Sequence, residues 1–453
     1  MDRSVLKMQL NIIEKHKEET RMKSIAELIP EEETCIFGFV NNIKNTKYML
    51  FLMVREETGE IQVSIDKSEN PEVFAATEGL TRESTVTVWG KMVLNAHVKN
   101  GGKEFIPTKL EIETIANPLP IGEESGKSAQ IEHRALSMRF AKNHTAMKVV
   151  SAVEMAIYAY WSKNEYTVIH TPKLLGTPSE SGAELFELEY FGNKAYLAQS
   201  NQLYKQMAIQ AGFKKFAEIG PSFRADNSNT SRHQTEFTTV DCEIAGPRSV
   251  EEVMAEQERL IKFVFERLME QQKLCSQIRE NFGVEIETPI FTRMTFAEAK
   301  EILKKIGVFE ENAKDFSPEE ERQICRYALE KFGAQFVFVT EYPISVRPFY
   351  HKRHSRTTTE SYDLLFNGTE ITTGAIREHR PEILIKQIRE KAEELNSPNL
   401  EKSLESYIEF FNYGSVPHGG FGMGEARFIQ QLLKAESIED VVFLSRTPNR
   451  LYP

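Results

Sequence analysis

From Cys35 to Ile115 apolar and polar positions alternate in five short runs, CIFGFV, YMLFLMVR, GEIQVSI, STVTVWGKMV and EFIPTKLEIETI. Turns containing Asn, Gly or Lys separate them, a pattern that predicts half-buried strands closing into a small β-barrel over residues 34–117. Before it, residues 1–33 are charged and rich in Lys and Glu, with Leu6, Leu10 and Ile13 at helical spacing, which predicts a solvated helical extension. After it, NPLPIGEESGKSAQ has two prolines, two glycines and no apolar period, and predicts a hinge over residues 118–134.

Residues 135–453 mix the two periods. Ala146, Val149, Val150, Val153, Ile157 and Tyr160 fall on one helical face, with Thr145 as the expected N-cap. YTVIHTPKLL reads as a strand until Pro172. AYLA, FAEIG, TEFTTVDCEIA, FVFVTEYP, SYDLLF and EITTGA read as further strands, and one long helix is expected from Val250 to Leu274. Residues 283–335 are expected to be an inserted helical segment. There is no regular βαβ alternation and no GxGxxG or GxxxxGK[ST] loop, which argues against a Rossmann or P-loop nucleotide site. Long helices beside antiparallel hairpins define the expected class, α+β. For the N-terminal barrel, the OB-fold is the commonest five-stranded form that binds nucleic acid. An SH3-like or other small barrel without a ligand fits the pattern as well.

A length of 453 residues gives a prior of two or three domains. A net charge of −11 argues against a generally basic nucleic-acid coat but leaves room for a local basic patch. Cys35, Cys242, Cys275 and Cys325 show no CxxC spacing, which points away from disulfide or zinc frameworks and toward a reducing compartment. No apolar run approaches the roughly 18 residues that span a bilayer. MDRSVLKMQL lacks a signal-peptide core, so a cytoplasmic location is expected and no membrane association.

FRADNSNTSRHQTEF, Phe223–Phe237, carries the candidate chemistry. It is read as the long loop of a hairpin that keeps Arg224, Arg232 and His233 beside a buried sheet. Arginine suits phosphate there, because its planar fork gives bidentate hydrogen bonds and never loses charge. HGGFGMGEARFIQQLL is a glycine-rich strand running into a helix, with Arg427 in the first turn. Glycine lets backbone approach a flat ligand closely. Asp363 and Glu370, in SYDLLFNGTEITTGAIREH, could flank a hairpin and share a divalent cation beside phosphates. YLAQSNQLYKQMAI puts Gln199, Gln202 and Lys205 where a strand passes into a helix. Solvated charges and turn acids explain each stretch taken singly.

Together, and in this order, they resemble class II aminoacyl-tRNA synthetases of the aspartyl/asparaginyl subgroup over nearly the whole chain. VIHTPKLLGTPSESGAELFELEYFGNKAYLAQSNQLYKQ looks like motif 1 and the amino-acid pocket, EIGPSFRADNSNTSRHQTEF like motif 2, and GGFGMGEARFIQQLL like motif 3. The resemblance implies ATP and Mg²⁺, an OB-fold that binds the tRNA anticodon, and a homodimer formed through motif 1. By that match Arg224 holds the α-phosphate and the substrate carboxylate. Asp226, Arg232 and His233 belong to the loop over the β- and γ-phosphates, Phe237 stacks on adenine, and Arg427 closes over its other face. Asp363 and Glu370 match the metal ligands. Glu180 and Gln202 match the ammonium contacts, Arg377 the grip on the side-chain oxygen. Phe51 matches an aromatic that stacks on an anticodon base, and Gln62 is a candidate reader of its edge.

Lys205, EITTGAIREH and VRPFY look aspartyl, of the archaeal/eukaryotic type; YGSVPHGGFGMG and RTPNRLYP look asparaginyl. Aspartate and tRNA(Asp) are the expected substrates, with asparagine and tRNA(Asn) as the alternative and a non-catalytic RNA-binding relative behind both. Asn201, Ser181, Ile376 and Asp226 depart from both patterns. So does Gly-Glu-Ala-Arg in motif 3, which leaves Arg427 in register but puts the role of Glu425 in doubt. GFVNN lacks a tryptophan that helps some relatives discriminate anticodons, so tRNA(Asn) is a further candidate partner.

Overall fold

The computed structural model describes residues 22–99, 101–176, 185–227, 230, 232–310 and 314–452. The chain divides into two compact units, 1–126 and 127–453.

The first unit is a closed five-stranded barrel of β1 (Glu33–Asn45), β2 (Met49–Glu56), β3 (Gly59–Asp66), β4 (Thr85–Leu94) and β5 (Lys103–Thr114), in the order β1-β2-β3-β5-β4. Leu50, Leu52 and Val54 of β2 point inward with Ile36, Val63, Val88 and Phe105, as period-two alternation requires. Closure comes from the pairing of β1 with β4 and from the short parallel contact of β3 with β5. Register shifts at Val40/Asn42 and Trp89/Gly90 bend the longer strands.

The second unit is built on an eight-stranded sheet. Its strands in chain order are β6 (Thr167–Val168), β10 (Lys215–Phe223), β11 (Glu236–Ala245), β12 (Phe291–Thr295), β13 (Phe336–Thr340), β14 (Ser361–Phe366), β15 (Thr369–Ile376) and β16 (His418–Gly424). The spatial order is β12-β13-β14-β15-β16-β11-β10-β6, antiparallel except at its two ends. A small sheet of β7 (Leu174–Leu175), β9 (Asn193–Leu197) and β8 (Glu187–Tyr190) lies apart from it. One face of the large sheet is covered by α1 (Ala141–Lys163), α3 (Val250–Met269) and α4 (Gln272–Phe282); α2 (Gln202–Gln210) belongs to the polar side described below. Val149, Val153, Ile157 and Trp161 of α1 and Leu260, Ile261, Val264 and Leu268 of α3 bury that apolar face.

Five expectations change in the structure. Helix α1 begins four residues before Thr145, with Phe140 at the N-cap; Thr145 is buried within the helix and its hydroxyl accepts from Asn281 at 3.1 Å. The helix expected from Val250 to Leu274 breaks after Met269, which turns Leu274 and Ile278 of α4 back onto the same core. The strand expected around Pro172 is two short pieces, β6 and β7. The stretch 283–335 is not wholly helical: β12 joins the sheet edge before α5 (Phe296–Ile306) and α6 (Pro318–Phe332). The expected hinge turns helical from Lys127. No helix among the described residues is long and apolar enough to cross a membrane.

Candidate active site

The uncovered face of the sheet is polar because β11 and β16 alternate. Val240 and Cys242 of β11 join the apolar core, which sends Thr239, Asp241 and Glu243 to the other side. On β16, Phe421 and Met423 take the core and glycines take the polar side. Glycine is required at 420, where a Cβ would lie 2.1 Å from the Cys242 carbonyl and 2.3 Å from Glu243 Oε2. The glycine-rich run therefore makes room for a buried carboxylate, as well as lining the site with Gly422 and Gly424.

Above this face lies a cavity of about 500 Å³, within the range of small-molecule sites. Seven Lys or Arg side chains line it against three carboxylates, Asp226, Asp241 and Glu370, so in a chain of net charge −11 it selects an anionic ligand.

At its floor, four buried charges form a row. Lys205, on α2, donates to Asp241 Oδ1 at 2.8 Å and to the Phe421 carbonyl at 3.1 Å, and stands 3.7 Å from Glu243 Oε2. Arg377, just past β15, donates through Nε to Glu243 Oε1 at 2.9 Å. Its Nη2 reaches Glu243 Oε2 at 3.2 Å and the Gly420 carbonyl at 3.0 Å. Burial works against the Glu243 carboxylate, yet Arg377 and Lys205 hold its pKa below the usual range. Nη1 of Arg377 lies 3.1 Å from Nε2 of His351. Burial, reinforced by Arg377, holds His351 well below the usual histidine range, so the neutral ring accepts this bond. Gln202 sits at the cavity edge with Nε2 buried and unpartnered among the described residues.

The motif 2 residues stand at the other end. Arg224 follows β10; its guanidinium lies 5.3 Å from the Phe237 ring centroid and makes no hydrogen bond or ion pair among the described residues. Arg232 is bound instead, to Glu321 of α6 at 3.1 Å and to the Gly368 carbonyl at 3.4 Å. His233 pairs with Thr230 Oγ1 at 2.6 Å, and burial, then Arg427, lowers its pKa. Asp226 also lines the cavity. Arg427, in the first turn of α7 (Glu425–Leu433), donates to the Glu370 carbonyl at 3.2 Å.

Asp363 departs from expectation. Glu370 lines the cavity and Asp363 does not; Asp363 is buried with Oδ2 2.7 Å from Arg347 Nη2. The turn carrying VRPFY supplies that counter-ion. Two features still fit a cation: Asp363 Oδ1 is buried without a partner among the described residues, and burial, with Glu370 adding to it, pushes Asp363 up to about 6 despite Arg347. All-oxygen donors of this kind suit Mg²⁺, which takes one or two carboxylates and completes its shell with phosphate and water. No cluster of three or more ligating side chains occurs among the described residues.

Glu180 and Ser181 lie outside the described residues. Asp241, Glu243, Arg347, His351 and Glu321 enter the site without having been singled out in the sequence. For the first two a signal existed: acids at i and i+2 inside an apolar strand share one face and need buried partners. On the barrel, Phe51 is half-buried and alternates with the inward Leu50 and Leu52, so it faces outward. Gln62 pairs with Met53 and Ser64 with Phe51, which puts Phe51 and Gln62 on one outer face. Gln62 donates to Ser64 Oγ at 3.0 Å.

The altered motif 3 has a local consequence. Glu425 opens α7, is 7% exposed, and meets Glu154 of α1; burial, then that like charge, pushes its carboxyl up to about 9. A raised carboxyl keeps its proton in the folded state while the unfolded chain loses it near pH 4.5. Stability therefore falls as pH rises from there toward the folded value. Glu425→Gln is expected to stabilise the protein at pH 8 by roughly 1–3 kcal/mol, a gain that vanishes by about pH 4.5. Thermal melts across that range check it.

Residues 126–448 match the model of class II tRNA synthetases (D, K and N), and residues 34–113 that of an OB-fold nucleic-acid-binding domain. The chain belongs to the class II tRNA synthetases, the family its three motifs resemble. It is 37% identical over 438 residues to the aspartate–tRNA(Asp) ligase of Pyrococcus abyssi, covering 95% of this chain and 98% of that one. It is 35% identical over 437 residues to the aspartate–tRNA(Asp/Asn) ligase of Methanopyrus kandleri, covering 94% and 98%. Among solved structures it resembles asparaginyl-tRNA synthetase from Pyrococcus horikoshii with asparaginyl-adenylate, at a TM-score of 0.87, 32% identity, and 96% and 100% coverage.

Proposed function

We propose that the protein activates aspartate with ATP and transfers it to tRNA(Asp). The observation that carries the choice of amino acid is a count of donors. Of the five N–H bonds of Arg377, four are spent on Glu243, Gly420 and His351, and one on Nη1 remains. Lys205 spends two of three and also keeps one. Two remaining donors suit a carboxylate, which only accepts. The amide of asparagine has its oxygen alone to offer them, where a carboxylate has two. The row Asp241, Lys205, Glu243, Arg377 is neutral by itself, so selection rests on donor placement rather than surplus positive charge.

At the other end the unpaired Arg224 receives the α-phosphate and the α-carboxylate. There the carboxylate oxygen attacks phosphorus and pyrophosphate leaves, a step that needs positioning and charge stabilisation rather than a protein nucleophile. Phe237 and Arg427 enclose adenine, with Arg232, His233 and Asp226 around the outer phosphates. Gln202, with Glu180, receives the ammonium group. Glu370 and Asp363 would hold Mg²⁺, which when bound offsets the polyphosphate charge. The 3′-terminal ribose hydroxyl of the tRNA then takes the aminoacyl group and AMP leaves. Phe51 and Gln62 serve the anticodon, where base stacking is worth about 1–3 kcal/mol per base. The name of the Methanopyrus relative supports tRNA(Asn) as a further acceptor. A homodimer through α1 and the Pro172 segment and a cytoplasmic location complete the reading.

ATP–pyrophosphate exchange with aspartate and asparagine side by side tests it. Aspartate is expected to be favoured by roughly 10²–10⁴-fold. Preference for asparagine would transfer the assignment to the alternative, and no exchange with either removes the enzyme reading.

A further inference from the structure

Glu321, on α6, lies outside both the motifs and the amino-acid pocket, yet it controls one of the phosphate-loop arginines. Its Oε2 accepts from Arg232 Nη1 at 3.1 Å and from the backbone N–H of Glu370 at 3.3 Å. The second terminal nitrogen of Arg232 is on the Gly368 carbonyl. Both prongs of the guanidinium fork are thus turned to α6 and the β14–β15 turn, while Arg224 of the same loop is unpaired among the described residues. The pair is largely shielded, with side-chain exposures of 20% and 13%.

We propose that Glu321 is a positioning residue that holds Arg232 against α6 and yields it to the polyphosphate of the nucleotide. The inference rests on reading the cavity as an ATP site. Polyphosphate and Glu321 compete for one bidentate fork. When Arg232 turns to the phosphates, Glu321 retains the backbone N–H of Glu370 and leaves a carboxylate beside incoming phosphate in a partly buried place, a cost that a neutral amide at the same position does not carry.

Glu321→Gln tests this, because it keeps the shape and removes the charge. At pH 8 the KM for ATP in the exchange assay is expected to fall about fivefold, the size of one partly shielded ion pair. In an Arg232→Gln background, Glu321→Gln should leave the KM unmoved. Should Glu321→Gln not fold, Glu321→Asp serves, since its shorter side chain draws the carboxylate back from the Arg232 guanidinium and should lower the KM in the same direction. An unchanged or raised KM in the folded variant, or an equal fall in the Arg232→Gln background, overturns the inference. Wild-type protein that binds no ATP overturns the nucleotide site itself, and the inference with it.

Discussion

Lys205→Met is expected to abolish most aspartate-dependent exchange and to destabilise the fold at the same time. The side chain is 2% exposed and is the direct partner of Asp241, with Glu243 3.7 Å away. Removing one member of a buried ionic row leaves its carboxylate uncompensated, which costs about 3–5 kcal/mol. The substrate separately loses a hydrogen bond from a charged donor, worth about 1.5–3 kcal/mol, or roughly 10- to 100-fold in kcat/KM for aspartate. Lys205→Met/Asp241→Asn separates the two effects, since it deletes cation and anion together. Denaturant titration should show much of the lost stability restored, while aspartate exchange stays low. If the double variant recovered wild-type exchange, the donor count at the cavity floor would be the wrong basis for choosing aspartate.

Arg224→Gln is expected to behave in the opposite way. Its guanidinium is exposed and, among the described residues, makes no hydrogen bond or ion pair and lies over the Phe237 ring, so stability should change by no more than about 0.5 kcal/mol. In the proposed reaction it acts on the α-phosphate and the α-carboxylate, where charge moves. Removing one preorganised donor of that kind lowers kcat by roughly 10²–10³-fold. The melting curve should therefore be unchanged and the exchange nearly lost, with kcat falling more than the KM for ATP. A variant with near wild-type kcat would dismiss Arg224 from the reaction centre.

These two residues also mark how far the chain could be read without coordinates. Arg224 was legible as a candidate because its assignment rests on a local feature, a charged loop between two apolar strands, and on a motif with fixed spacing. Lys205 was legible as a residue type, but its partners were not. Asp241 is 36 positions away and Phe421 is 216, and only the strand order brings β11 and β16 beside α2. The same holds for Asp363, expected beside a metal with Glu370 and found against Arg347. It holds for Arg232, whose partner Glu321 lies 89 residues on. Thr145 misled for another reason: it is a good capping residue, but burial decided where α1 starts.

The sequence by itself determined the five barrel strands, the apolar faces of α1 and α3, the polar side of β11 and the family. These depend on periodicity and on residues close along the chain, where backbone geometry leaves few choices. Tertiary structure alone decided which charge neutralises which, how many donors remain for a ligand, and which face of the barrel carries Phe51. Ion pairing and desolvation act through space between segments tens to hundreds of residues apart. No local pattern encodes that until the sheet order is set.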